Sequence, residues 1–175
     1  NKNNINVRCP DQLNTEEEYN NLKKQKPDVV VVVAYGKLLP SKFLNFENIK
    51  FINVHASLLP KWRGAAPIQR SIMNLDKETG ISIMKIIPKL DAGPVMMKSK
   101  IQITKNSNFL NLSKELSMLG AEMILKSLDL IEKNSENFID QVEREATFAK
   151  KISKKESKIE WNTEAKNIIA KINAL

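Results

Sequence analysis

The stretch DVVVVVAYG, residues 28–36, decides the fold because it places five consecutive valines between Pro27 and Gly36. A short β-branched run with such boundaries predicts a strand that is buried on both faces, as in a parallel sheet. A second run, residues 50–54, follows a short helical or turn segment and predicts another buried strand. Two buried strands joined by a crossover indicate an α/β fold.

Helices are predicted on both sides of this unit. Thr15 and Glu18 have capping-box spacing, which predicts a short helix that ends before the next proline. Pro67 is suited to the first turn of another short helix. From Ser107 or Asn108 onward, leucines and methionines recur at helical spacing and predict a long amphipathic helix that covers the core.

Two further strands are predicted between those helices. The segments GISIMKI (80–86) and VMMKSKIQI (95–103) alternate apolar and polar residues, which is typical of half-exposed strands. The loop between them is short enough for an antiparallel pair. From about Phe138 the composition changes to a lysine-dense stretch, which predicts a linker followed by the first element of a second unit.

Composition bounds the class of protein. With 175 residues, 42% hydrophobic and 27% charged, the chain is typical of a globular protein. Its longest apolar run is too short to cross a bilayer, so we predict no membrane association and a cytoplasmic location. One cysteine, Cys9, and one histidine, His55, exclude an internal disulfide and a cysteine-based zinc site, and we predict no metal.

The net charge of +8 points to a polyanionic partner, above all a nucleic acid. A second interpretation stays open, because lysine, asparagine and isoleucine are abundant throughout the chain, as a compositionally biased genome would produce.

The candidate chemistry lies in FINVHASLLPKWRGAAP, residues 51–67, where a buried strand ends. Asn53 and His55 are two residues apart and so face the same side of that strand. Ligands of open α/β sheets bind beyond the carboxyl ends of the strands. An amide and an imidazole can both donate to an oxyanion that forms during acyl transfer, and Asp91 could orient the imidazole. The alternatives are a structural histidine and an aspartate that serves only its turn.

Other mechanisms lack their residues. The sequence has no phosphate-binding loop, no dinucleotide glycine fingerprint and no nucleophile with its own base. Direct transfer between two bound substrates is the mechanism that remains.

These residues resemble a known family, the folate-dependent formyltransferases. Its general signature is carried by Asn53 and His55, by SLLP at 57–60 and by LDAG at 90–93. Three more selective stretches resemble the branch that acts on methionyl-tRNA: VVVVAYGKLLP (30–40), WRGAAPIQR (62–70) and ATFAKKISKKESKIEW (146–161). The similarity covers essentially the whole chain.

The resemblance implies a domain organisation. Residues 1–135 would be the C-terminal part of a Rossmann-like formyltransferase domain that lacks its N-terminal portion. Residues 136–156 would be a linker, and residues 157–175 would begin a barrel-like domain that contacts tRNA. The chain would therefore be an internal fragment of a protein expected to act as a monomer.

The resemblance also implies the reaction and the site. A formyl group would pass from 10-formyltetrahydrofolate to the α-amino group of methionine on initiator methionyl-tRNA. Catalysis would fall to Asn53 and His55, which bind the formyl oxygen, and to Asp91, which orients His55 and helps remove the proton of the amine. The folate would be bound by two groups of residues: Ser57, Leu58, Leu59 and Pro60, and Gly36, Lys37, Leu38 and Leu39.

Several readings stay open beside this one. Trp62 and Arg63 either contact the acceptor end of the tRNA, or pack and pair with a local carboxylate. The lysines between 150 and 158 either touch the tRNA backbone or belong to a solvated linker. The chain could also come from a formyltransferase that acts on a small amine, or be a basic RNA-binding module without catalysis.

Overall fold

The computed structural model describes residues 3–175. Its strands are β1 (Val29–Val33), β2 (Lys50–His55), β3 (Arg63–Gly64), β4 (Glu78–Lys85), β5 (Val95–Gln102) and β6 (Phe148–Ala149). Its α-helices are α1 (Glu16–Gln25), α2 (Ser41–Leu44), α3 (Pro67–Met73), α4 (Phe109–Glu132) and α5 (Ala165–Ala174). Short 3-10 helices lie at Glu143–Glu145 and Lys154–Ser157.

The main sheet has four strands in the order β1-β2-β4-β5. Strands β1 and β2 are parallel, with Val29 opposite Lys50 and Val33 opposite Val54. The β2–β4 and β4–β5 pairs are antiparallel, so the predicted α/β unit and the predicted antiparallel pair are both confirmed. A second, two-stranded sheet joins β3 to β6 in parallel.

Strand β1 is more exposed than the sequence indicates. Val31 is 38% exposed and Val33 is 60% exposed. The prediction of burial on both faces is therefore wrong within the described residues. The physical reason is position, because β1 lies at the edge of the sheet and pairs with β2 alone.

Strand β4 departs from its prediction in the opposite direction. Its residues 79–84 are all buried, although their alternation predicts a half-exposed strand. Ile81 and Ile83 pack in the main core, whereas Met84 packs with Leu59 on the other face. Strand β4 is central in the sheet and covered on both sides, while β5 at the edge keeps the predicted alternation.

Helix α4 covers one face of the sheet. It begins after Asn108, which forms a reciprocal capping box with Asn111, and so confirms the predicted start. Its apolar face places Leu112 and Leu116 in the core beside Ile52 of β2. Although α4 has 24 residues, neither it nor another helix within residues 3–175 is long and apolar enough to span a membrane.

The N-terminal helix α1 has the predicted cap. The Thr15 hydroxyl accepts a hydrogen bond from the Glu18 backbone at 3.2 Å. Aromatic contacts attach this helix to α2 and to the residues after it. The centroid of the Tyr19 ring lies 4.6 Å from that of Phe46 and 5.8 Å from that of Phe43.

The C-terminal segments pack onto the sheet domain. Strand β6 pairs with β3, and α5 lies against α3, with Ala174 in the main core. The predicted boundaries at residues 135 and 156 stay predictions. What the structure shows is that residues on both sides of them contact the same domain.

An ion pair ties α3 to the lysine-dense segment. Arg70 Nη1 donates to Glu156 Oε2 at 2.6 Å, and Arg70 Nε donates to the Lys150 carbonyl at 3.0 Å. The hydrogen bond from Arg70, supported by the Ser153 backbone N–H, lowers the pKa of Glu156 to about 2. The guanidinium of Arg70 is therefore occupied by contacts within this chain.

This ion pair predicts a pH-dependent stability difference. Because the pKa of Glu156 falls from 4.5 on folding, its stabilising effect is complete above about pH 4.5 and is lost as the pH falls toward 2. We expect the melting temperature of Glu156→Gln to lie below that of the wild type at pH 7, by a difference that shrinks below pH 4.5. Glu145→Gln is the control, since Glu145 is exposed and forms no ion pair within residues 3–175. A difference that is unchanged at pH 3 would contradict this prediction.

Candidate active site

The candidate site lies where β1 and β2 end. Because these strands are parallel, their carboxyl ends meet at one edge of the sheet, and the loops at 34–40 and 56–62 leave from that edge together. On β2, Ile52 and Val54 face the core under α4. Asn53 and His55 therefore face the opposite side, toward the second loop.

The imidazole of His55 makes one hydrogen bond and lies beside one carboxylate. Its Nε2 donates to the Trp62 carbonyl oxygen at 2.8 Å, and its Nδ1 lies 3.7 Å from Asp91 Oδ2. Since a carbonyl oxygen only accepts, Nε2 carries a hydrogen. His55 is only 5% exposed, so the ring has a fixed orientation at the edge of the sheet.

Asp91 comes to this place from the turn between β4 and β5. Its Oδ2 accepts a hydrogen bond from the Gly64 backbone N–H at 2.8 Å, which anchors the carboxylate. Asp91 has a backbone φ of +44°, in the left-handed region that residues with a side chain rarely adopt. The structure thus brings Asp91 and His55 together across 36 positions of sequence, while their catalytic roles stay predictions.

Asn53 differs from its two neighbours in having a free amide. Within residues 3–175 its side chain has no hydrogen-bond partner, and it is only half-buried. An amide N–H group at this place is available to an oxygen of a bound molecule.

The loop at 57–60 is built partly for its own shape. Ser57 is buried, and its hydroxyl donates to the Lys61 carbonyl at 2.6 Å. Leu59 is buried too, and its N–H donates to the Ser82 hydroxyl at 3.0 Å. The peptide bond between Leu59 and Pro60 is cis. Leu58 and Pro60 are half-buried and are the members of the predicted folate-binding set that keep accessible surface here.

The other predicted folate-binding residues, Gly36, Lys37, Leu38 and Leu39, lie in the loop after β1. Leu38 is 65% exposed, which is a large fraction for a leucine. Gly36 has a φ of +70°, and a Cβ added there would meet no atom within 4 Å. Gly36 and Leu38 are therefore both open to solvent in the loop that follows β1.

Trp62 and Arg63 make local contacts of the kind expected if Trp62 packs and Arg63 pairs with a nearby carboxylate. The Trp62 indole donates to Asp76 Oδ2 at 2.7 Å. Arg63 is 1% exposed, and its Nη1 donates to Glu143 Oε2 at 3.0 Å while its Nε donates to Gln141 Oε1 at 3.1 Å. The guanidinium is thus enclosed in protein.

Three of the residues around the site are ones that sequence reasoning missed: Gly64, Gln141 and Glu143. Glu143 accepts from Lys89 at 2.5 Å as well as from Arg63, and the hydrogen bonds from these two cations, that of Lys89 above all, lower the pKa of its carboxyl. No spacing signal connects residues that lie 50 or 80 positions from their partners.

Metal-ligating residues do not gather in the described part of the chain. Across residues 3–175 no group of three or more His, Cys, Asp or Glu side chains is placed to hold a metal ion.

Comparisons with known proteins agree on one family. The sequence profile described as formyl transferase matches residues 4–128. The methionyl-tRNA formyltransferase of Pelagibacter ubique is 53% identical over 98% of this chain. The chain spans about half, 56%, of the length of that relative.

Solved structures share the fold. HypX from Aquifex aeolicus, in complex with tetrahydrofolic acid, superposes with a TM-score of 0.76 at 17% identity, over 87% of this chain and 26% of that one. A sugar N-formyltransferase from Shewanella sp. superposes with a TM-score of 0.79 at 20% identity, over 93% of this chain and 65% of that one. These likenesses show the α/β fold alone.

Proposed function

This chain belongs to the formyl transferase family, has its Rossmann-like α/β fold, and, we propose, is part of an enzyme that formylates initiator methionyl-tRNA. The observation that carries the proposal is the approach of His55 Nδ1 to Asp91 Oδ2, 3.7 Å apart, at the carboxyl end of β2, where Asn53 lies on the same face of the strand. The relatives of this chain that are methionyl-tRNA formyltransferases support the choice of acceptor.

The residues present suit a folate donor. Open space at Gly36, exposed apolar surface at Leu38 and accessible faces of Leu58 and Pro60 would hold a flat heterocycle beside the strand ends. Lys37 and Leu39 extend the same loop, while Ser57 and Leu59 fix the shape of the opposite one. When bound, 10-formyltetrahydrofolate would supply the formyl group; its bond from the formyl carbon to N10 would break, and tetrahydrofolate would leave with a proton on N10 that balances the one lost by the amine.

The side chains of this protein would stabilise the developing negative charge and remove the proton of the amine. The free amide of Asn53 and the Nε2–H of His55, which in this structure donates to the Trp62 carbonyl, would donate to the oxygen that gains negative charge. Asp91, anchored by Gly64, would orient His55 and accept a proton from the amine through water. An α-amino group has a pKa of about 8, so about a tenth to a quarter of it is neutral between pH 7 and 7.5, and alignment of that neutral amine is the main task.

The acceptor would approach from the side of Trp62. We propose that the partly exposed indole stacks on the acceptor end of the tRNA, and that the +8 net charge favours the approach of the polyanion. Arg63 is buried, so it would not pair with phosphate. It would stabilise the site through its hydrogen bonds to Gln141 and Glu143. The lysines between 150 and 158 are candidate contacts to the tRNA backbone.

The organisation of the whole protein is part of this proposal. Residues 157–175 would lead into a barrel-like domain that contacts tRNA, and residues 136–156 would connect it to the catalytic domain. The enzyme would act as a monomer in the cytoplasm.

A label-transfer assay tests the function. The whole protein is incubated with formyl-labelled 10-formyltetrahydrofolate and, in separate reactions, with charged initiator tRNA, amino sugars and glycinamide nucleotides. We expect label on the methionine of the tRNA. Label on a small amine alone would identify another formyltransferase. No transfer, with no heat of folate binding and with retained RNA binding, would identify a basic RNA-binding module.

A further inference from the structure

We propose that Gln141 is a positioning residue that sets the Asp91 carboxylate against His55. This inference deepens the proposed function, on which its catalytic part rests. Gln141 lies outside the family match at 4–128, in the segment that its sequence marks only as a linker. The hydrogen bonds of its side chain join it to Arg63 of β3 and to the turn that carries Asp91.

Gln141 binds the turn that carries Asp91. Its Nε2 donates to the Asp91 carbonyl oxygen at 2.9 Å and to the Gly93 carbonyl oxygen at 2.7 Å. Its Oε1 accepts from Arg63 Nε at 3.1 Å. Only this orientation of the amide satisfies all three contacts, because the flipped amide would face two acceptors with its oxygen and a donor with its NH₂ group.

The turn needs such a partner. Asp91 has a φ of +44°, a conformation that costs free energy for a residue with a side chain and is kept only where the surroundings fix it. The two hydrogen bonds from Gln141 hold the backbone of residues 91 and 93 on either side of the turn. A third bond, from Gly64 N–H to Asp91 Oδ2, fixes the carboxylate itself.

The opposite end of Gln141 is fixed as well. Arg63 is 1% exposed and precedes Gly64, so the residue that anchors Gln141 neighbours the residue that anchors Asp91. Two backbone hydrogen bonds attach residues 63–65 to residues 147–149. The Arg63 N–H donates to the Thr147 carbonyl at 2.9 Å, and the Ala65 N–H donates to the Ala149 carbonyl at 2.9 Å. Gln141 is thus part of a hydrogen-bonded network that joins three segments of the chain: the one around Arg63 and Gly64, the turn at Asp91 and Gly93, and its own.

Two variants separate donation from packing. Gln141→Glu keeps an acceptor for Arg63 but replaces the donating NH₂ with an oxygen that faces two carbonyl oxygens. Gln141→Met keeps the length of the side chain and removes every hydrogen bond. In the whole protein we expect both to lower kcat by about 10- to 100-fold, with KM for folate and tRNA within about twofold of wild type. Gln102→Glu, which adds the same charge at an exposed position on β5, is the control and should leave kcat unchanged.

A double-mutant cycle shows whether Gln141 acts through Asp91. In an Asp91→Asn background, we expect Gln141→Glu to lower kcat by no more than about twofold further, because the group it positions is already gone. An equal loss in both backgrounds, or a wild-type kcat for Gln141→Glu, would overturn the proposal.

A spectroscopic readout is independent of catalysis. The Gly64 amide proton, which is bonded to the Asp91 carboxylate, should move upfield in Asp91→Asn and in the same direction in Gln141→Glu and Gln141→Met, but not in Gln102→Glu. A Gly64 signal that does not move in the Gln141 variants would overturn the positioning role. If the protein transfers no formyl group to any amine while this signal moves as expected, the proposed function fails and the positioning of Asp91 by Gln141 stands.

Discussion

Replacing His55 with glutamine is expected to lower formyl transfer by about 100-fold, because a flexible amide in place of the buried ring would not hold its N–H in a fixed position toward the developing oxyanion. The amide of glutamine can keep the contact that His55 Nε2 makes with the Trp62 carbonyl, so the variant should fold. It has no second ring nitrogen to face Asp91, which lies 3.7 Å from Nδ1 in the wild type. The measurement is kcat/KM with 10-formyltetrahydrofolate and charged initiator tRNA.

Folding and binding are the controls for this variant. We expect its circular-dichroism spectrum and its affinity for a folate analogue to match those of the wild type, because the lost interaction belongs to the transition state. Wild-type turnover by a folded His55→Gln protein would show that the imidazole is structural, which is the alternative that the sequence alone leaves open.

Replacing Gly93 with alanine is expected to destabilise the fold by about 3 kcal/mol, at the upper end of the range for overpacking. A Cβ at this position would lie 1.9 Å from the Lys85 carbonyl oxygen and 3.0 Å from its carbon, and these backbone atoms belong to the end of β4. Neither can move without breaking the junction between β4 and β5, where Lys85 N donates to the Pro94 carbonyl at 2.9 Å. Urea unfolding measures the loss.

Gly36→Ala is the matched control for Gly93→Ala. Gly36 has a positive φ but open space around its Cα, so the substitution should cost about 1 kcal/mol from backbone conformation alone. Equal losses in the two variants would show that the close approach at Gly93 is not tight in solution.

The sequence predicts most of the elements because their signals are local. Thr15 and Asn108 mark helix starts through hydrogen bonds within four residues, and the valine run of β1 needs only its own composition. Burial is predicted less well, since it depends on neighbours in space. Strand β1 is exposed because it lies at the edge of the sheet, and β4 is buried because α4 and the loop at Leu59 cover its two faces.

The same distinction divides the candidate site. Asn53 and His55 could be paired from their spacing on one strand, and a strand end is where ligands of such sheets bind. Asp91 could be suggested from its turn, but its distance to His55 depends on how β4 and β5 are placed. Gln141 carries no signal in its own sequence, because its role depends on two carbonyl oxygens 48 and 50 positions away.

The contacts of residues 139–149 also affect where chimaeras of family members can be joined. A crossover placed just after residue 128, where the family match ends, would take Arg63 and the Asp91 turn from one parent and Gln141 from the other. Such hybrids would combine two halves of one hydrogen-bonded set that were never selected together. A crossover after Ala149 keeps the set whole, since the last backbone bonds to the Gly64 loop are made there. For recombination, the hydrogen-bonded set around Asp91 therefore extends about twenty residues beyond the end of the family match.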